Sequence, residues 1–182
     1  MKITGNIDKF YQYAFPMQAA IVTVSDEKGK TNPITVAWHT PISKKPPLYG
    51  VSIAPSRFSH NLIKNAEEFA INFAPFKIVE KVNYCGTRSG RNSDKIKEAE
   101  LELFNAEKIK TKLIKQCYAH LECKLYKTIN LGDHDFFVGE VLNTIIDEDA
   151  FEDDKLDNKS IKPCCYLGGN TYTTIDKVKK KF

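Results

Sequence analysis

The stretch "CYAHLECKLYKTINLGDHDFFVGEVLNTIID", Cys117–Asp147, decides the fold. Two runs rich in Leu, Ile, Val, Tyr and Phe meet at Asn130-Leu131-Gly132-Asp133, the pattern of two long strands joined by a tight turn. Upstream, "MQAAIVTVSDEKGKTNPITVAWHTPI" from Met17 repeats the arrangement, with Asp26-Glu27-Lys28-Gly29-Lys30 as its turn. "PPLYGVSIAP" predicts a strand over Leu48–Ala54 once Pro46 and Pro47 have punctuated the loop, and "FAINFAP" from Phe69 predicts another. Downstream, "CCYLGGNTYTTI" from Cys164 adds a terminal strand after "DEDAFEDDKLDNKS", an acidic run that reads as an exposed connection.

Helical signals are short and lie between these strands. "SHNLIKNAEEF" puts Leu62, Ile63 and Ala66 on one face, with Ser59 as the N-cap. "FKIVEKVNYCG" predicts a second helix ending near Gly86. The polar segment from Thr87 to Thr111 is poorly periodic and reads as loop, with one helical turn around Asp94–Ala99. Strands that dominate, follow one another closely and pair as hairpins predict a mainly β protein, an antiparallel barrel with short decorating helices.

The 182 residues suit one well-buried core, so residues 1–182 are read as a single domain. A content of 42% hydrophobic and 27% charged residues is that of a soluble globular chain. Part of the net charge of +4 comes from "KVKKKF", where Lys177, Lys179, Lys180 and Lys181 read as a solvated tail. Without a basic stripe interleaved with aromatics, nucleic acid is not an expected partner. The 5 cysteines, odd in number and without a CxxC pair, make no disulfide framework. "MKITGNIDKFYQYAFP" lacks the apolar centre of a signal peptide, and no later run is apolar for long enough to span a bilayer. The expectation is a cytoplasmic protein with reduced thiols and no membrane partner.

Three polar clusters can carry chemistry. Ser56-Arg57-Phe58-Ser59-His60-Asn61 sits where a strand meets a helix, and a helix N-terminus with an adjacent arginine fork suits a phosphate. Ser59 as a simple cap beside a solvated Arg57 would give the same sequence. "YCGTRSGRNSDK" places Arg88, Ser89, Arg91, Ser93 and Lys95 on a glycine-containing loop that either closes over an anion or is merely solvated. In "LGDHDFFVGEV", His134 is a general acid, a ligand contact or a turn residue. The histidines at 39, 60 and 120 lack zinc-site spacing, no metal is expected, and Cys164-Cys165 reads as structural thiols. No GxGxxG, P-loop or GxSxG stretch occurs.

Five pieces in this order, "NPITVAWHTPIS" from Asn32, "VSIAPSRFSHNLIKNAEEFAINF" from Val51, "NYCGTRSGRNSDK" from Asn83, "GDHDFFVGEV" from Gly132 and "YLGGNTYTTI" from Tyr166, resemble the flavin reductase-like, FMN-binding split-barrel family, in its flavoredoxin and ferric reductase branch. The resemblance implies a six-stranded Greek-key split barrel, working as a homodimer, with FMN held non-covalently near the dimer interface. It implies that Ser56, Arg57, Phe58 and Ser59 hold the flavin phosphate, and that Asn32, Thr35, Ala37 and Trp38 line the ring and ribityl chain. It further implies flavin contacts from Cys85, Arg91 and Lys95, and His134 near the face where a nicotinamide stacks. Trp38 packs either on the other flavin face or in a core or interface.

The activity this implies is an FMN-dependent oxidoreductase moving electrons from NAD(P)H to a flavin, an iron complex or a small redox protein. The alternatives are a flavoredoxin-like carrier without direct NAD(P)H reactivity, or a non-catalytic module for an anionic ligand or nucleic acid.

Overall fold

The computed structural model describes residues 1–178 and 180; of the basic tail, Lys179 and Lys181 lie outside the described residues, while Lys177 and Lys180 are exposed. The strands are β1 (Met17–Gln18), β2 (Ala20–Ser25), β3 (Thr31–Val36), β4 (His39–Lys44), β5 (Pro47–Ile53), β6 (Glu68–Phe73), β7 (Leu103–Phe104) and β8 (Leu113–Ile114). There follow β9 (Ala119–Leu131), β10 (His134–Ile146), β11 (Phe151–Glu152), β12 (Lys155–Leu156), β13 (Cys165–Gly168) and β14 (Thr171–Thr173). The helices are α1 (Phe58–Ala66), α2 (Val79–Thr87) and α3 (Lys95–Glu98), with a 3₁₀ segment at Ile7–Ala14.

One antiparallel sheet dominates, in the order β3-β2-β6-β9-β10-β5-β4. It holds seven strands where the resemblance implies six. The extra strand arises because the run from Asn32 to Ile42 reads as one strand but is two: β3 pairs with β2, and β4 pairs with β5 at the opposite edge of the sheet. Only Ala37 and Trp38 join them. Three Cα steps span at most about 11 Å, whereas the outer strands of a flat seven-stranded sheet would lie about 29 Å apart. The sheet must therefore roll up, and at the crossing the Ser52 N–H donates to the Trp38 carbonyl at 2.9 Å, carrying the β4–β5 pairing one residue further.

The rolled sheet encloses Ala20, Val22, Val24, Ile34, Val36, Val51, Ile53, Phe69, Ile71, Cys123 and Phe137, capped by Ile63 of α1. β2 is buried on both faces. Its even-numbered residues fill the barrel, while Ala19 and Ile21 face a second core built with Ile78, Val82 and Cys85 around α2. This double burial explains why "AAIVTV" is a continuous apolar run rather than an alternating one. Thr35 fastens the outer layer, its Oγ1 donating to the Val82 carbonyl at 2.5 Å. The β9–β10 hairpin turns at Gly132, whose φ of +70° suits glycine.

Three local expectations change. Ser59 does not cap α1: Arg57 is the N-cap with no side-chain cap bond, and Ser59 Oγ instead accepts from Asn32 Nδ2 at 2.7 Å. The acidic connection forms a small β11–β12 ribbon with Ala150 fully buried. The terminal strand is a hairpin, β13–β14, whose first strand also pairs with β1.

Candidate functional site

The seam between β3 and β4 opens onto a cleft of about 220 Å³. Its walls combine Thr35, Ala37 and Trp38 of the seam, Ser52 and Ala54 at the end of β5, Arg57, His134, and three aromatics, Tyr11, Phe15 and Tyr166. The rings form a connected rim: Tyr11 lies edge-on to Trp38 at 5.5 Å and near Phe15 at 6.3 Å, and Phe15 lies edge-on to Tyr166 at 5.3 Å. The His134 ring lies 5.0 Å from Trp38, tilted by 41°, and its Nδ1 is 2.8 Å from Asp133 Oδ1. An aromatic-walled cleft of this kind accepts an aromatic body.

Arg57 and Ile34 also line an adjoining pocket of about 180 Å³. Here Ser56, Arg57, Phe58 and Ser59 from the start of α1 face Arg88, Ser89, Gly90, Arg91 and Lys95 across the opening. Among the described residues that line it there is no Asp or Glu. The facing loop is drawn in by Arg91, whose Nη1 donates to the Ser56 carbonyl at 3.0 Å and whose guanidinium lies 5.7 Å from the Phe58 ring centre. Gly90 makes this approach possible, since a Cβ there would overlap Asn32 Oδ1 and stand 2.9 Å from Phe58 Cδ1.

Lys95 gives this pocket its electrostatic character. It is 4% exposed, and its Nζ donates to the Cys85 carbonyl at 3.1 Å. Desolvation, reinforced by the nearby Arg57 charge, lowers its pKa to about 8. A buried ammonium facing arginines calls for an anion. The Cys85 thiol, in contrast, is fully buried in the outer core and pushed up to about 11, first by burial; the residue lines neither the pocket nor the cleft and meets Lys95 through its carbonyl.

The structure thus gathers Ser56, Arg57, Phe58, Ser59, Arg91 and Lys95 around one pocket and Thr35, Ala37, Trp38 and His134 around the adjoining cleft. Asn32 stands behind the anion pocket, where it braces Ser59. Sequence reasoning missed Tyr11 and Phe15 on the N-terminal segment and Tyr166 on β13; the dense aromatics of "FYQYAF" were the available signal for the first two. Cys164 and Cys165 are buried free thiols, and the described residues contain no cluster suited to a metal. No helix among the described residues is long and apolar enough to cross a membrane.

An aromatic-walled cleft that shares Arg57 and Ile34 with an anion pocket matches a ligand with an aromatic body and a phosphate end, and the residues present fit FMN: the pocket that Lys95 lines contains no carboxylate to balance its charge where the phosphate would lie. A family model described as "Flavin reductase like domain" matches residues 12–174. A protein from Archaeoglobus fulgidus is 37% identical over 146 residues, covering 80% of this chain and 81% of its own length. The FMN-binding protein from Thermus thermophilus, solved with bound p-hydroxybenzaldehyde, is 30% identical with a TM-score of 0.86, covering 100% of this chain and 98% of that one. Flavoredoxin from Methanosarcina acetivorans is 28% identical with a TM-score of 0.87, covering 100% and 95%.

Proposed function

The chain belongs to the flavin reductase like domain family, and from that premise we propose that it is an FMN-binding oxidoreductase. It draws electrons from NADH or NADPH and passes them to a flavin, an iron complex or a small redox protein. The observation that carries this reading is Lys95, a buried cation in a carboxylate-free pocket that opens directly into an aromatic-walled cleft. Bound there, FMN would supply the hydride and electron chemistry through its ring.

The chain's own residues bind and orient. Arg57 and Lys95 neutralise the phosphate, the Ser56 and Ser59 hydroxyls donate to it, and Arg91 holds the loop across it. Asn32 fixes the Ser59 rotamer by donating to its oxygen, which leaves the hydroxyl hydrogen free to point into the pocket. Thr35, Ala37 and Trp38 lie along the ring, and Cys85 anchors the Lys95 ammonium through its carbonyl. His134, on the cleft wall beside Trp38, positions the nicotinamide. The p-hydroxybenzaldehyde bound by the Thermus relative suggests that a small ring carbonyl also suits this slot.

FMN is favoured over FAD because a terminal phosphate suits the Ser56–Arg57 cradle, whereas an adenylate would need further room. We further propose a homodimer, in which the second subunit completes the open side of the cleft, and a cytoplasmic setting in keeping with five buried free thiols.

The test is to identify the flavin released on denaturation and to mix the intact protein anaerobically with each nicotinamide. FMN that bleaches with a saturating dependence on donor is the expected result. Bleaching by dithionite alone would favour an electron carrier, and a protein that neither carries nor takes up flavin would overturn the proposal.

A further inference from the structure

His60 and Asp135 take no part in the site just described, yet both are almost completely buried, at 4% and 6% exposure. His60 Nε2 lies 2.8 Å from Asp135 Oδ2. The other carboxylate oxygen, Oδ1, accepts from Asn130 Nδ2 at 2.8 Å, and Lys64 Nζ stands 4.0 Å from Oδ2. The His60 ring is held edge-on against Phe137 at 5.1 Å. A strand position facing a barrel end rarely buries a carboxylate without a task for it.

The connectivity shows the task. In the β10–β5 ladder, Asp135 is the partner of Ile53, the last residue of the strand that leads into the anion pocket. Its side chain grips His60, the third residue of the helix that leads out of it. Both ends of the segment Ile53–His60 therefore land on one residue, and Ser56, Arg57 and Ser59 lie on the arc between. The residue before Asp135 is His134, whose ring faces the cleft.

We propose that Asp135, through His60, is a positioning residue that clamps this arc into the curvature needed to hold a phosphate. It thereby selects flavin ligands that carry one. The inference rests on the flavin reading of the site. Loss of the His60 bond frees the C-terminal end of the arc while leaving Arg57, Lys95 and the ring-walled cleft chemically unchanged. The cost should therefore fall on the phosphate contacts and not on the ring.

The experiment measures the affinities of FMN and of riboflavin, which has the ring and ribityl chain without the phosphate, for the wild type, His60→Ala and His60→Gln. His60→Ala should weaken FMN by about tenfold, the loss of roughly one well-placed charged contact, while riboflavin changes by less than about twofold. His60→Gln retains an N–H donor for Asp135 and should recover most of the difference. In an Arg57→Ala background the effect of His60→Ala should shrink, because the clamp acts through the arginine it positions. Asp135→Asn, which weakens the same bond without removing bulk, should shift FMN affinity in the same direction and serves if His60→Ala does not fold.

Equal weakening of FMN and riboflavin would mark the pair as a general stabiliser and overturn the clamp. So would unchanged FMN affinity in a folded His60→Ala. A wild type that binds neither flavin would overturn this inference and the proposed function together, whereas a wild type that binds FMN with no selective effect of His60 overturns only the clamp.

Discussion

Replacing Lys95 by methionine separates the cost of a buried charge from its use. In the free protein the ammonium titrates at about 8, against an ordinary 10.5, because burial and Arg57 disfavour the charged form. That displacement corresponds to about 3 kcal/mol of destabilisation of the folded state while the lysine is charged. A base depressed on folding makes the unfolded chain hold the extra proton between pH 8 and 10.5, so the ligand-free wild type gains stability as pH rises through that window. The methionine variant should be the more stable apoprotein at pH 7, and its stability should lack this rise.

Affinity for FMN should move the opposite way. A phosphate dianion beside Lys95 restores its pKa toward the ordinary value, so binding takes up a proton wherever the free lysine is neutral. Between pH 7 and pH 9.5 wild-type affinity should fall by about thirtyfold, the ratio of charged lysine in the bound and free states. The Lys95→Met variant should bind more weakly than wild type at pH 7 and remain nearly flat over the same range. The Cys85 thiol, pushed up to about 11, stays neutral throughout and does not confuse the profile. Flavin fluorescence titrations at half-unit intervals, paired with thermal melts of the apoproteins, make the measurement. A wild-type affinity independent of pH across this window would show that Lys95 does not face the anion.

Other substitutions probe the remaining walls. Arg57→Ala should cost about 2–3 kcal/mol of FMN affinity with the fold intact, the scale of a charge-assisted bond; unchanged fluorescence titrations would make Arg57 a solvated residue. His134→Ala should slow flavin reduction by NAD(P)H in stopped flow by about ten- to a hundredfold with flavin content near normal. An identical rate would remove His134 from donor positioning. Sedimentation at micromolar concentration should show a flavin-loaded dimer, and a loaded monomer would refute the role given to a second subunit.

The long hairpins were legible because their residues alternate or cluster as strands do, and the phosphate-compatible residues were legible because Ser56-Arg57-Phe58-Ser59 is contiguous in sequence. What escaped was set by partners far away along the chain. The passage from β3 to β4 changes neighbours through a bend at Ala37, and Val36-Ala37-Trp38-His39 carries no glycine or proline to announce it. Ser59 has the composition of a cap, but Asn32, 27 residues earlier, supplies a buried partner that turns it inward. Tyr11 and Phe15 belong to a segment with no buried residue between Ile7 and Ala14, hence no burial pattern, and their role appears only when Trp38 and Tyr166 stand opposite. Lys95 is marked out by the family resemblance, but nothing in its polar loop sequence announces that it is buried.

The two-residue crossing at Ala37–Trp38 also has a meaning for how the molecule breathes. Rolled sheets open most easily where ladder bonds are few, and here the joint depends on the chain itself and on the Ser52–Trp38 bond. At this wall β3 and β4, the two ends of the strand order, share no ladder with each other. Amide exchange should enter the barrel there first, with Ser52 trading its proton ahead of Val22 or Ile71 in the central strands. A ligand lying across the crossing would shut that entrance, making the bound molecule the last stave of the barrel.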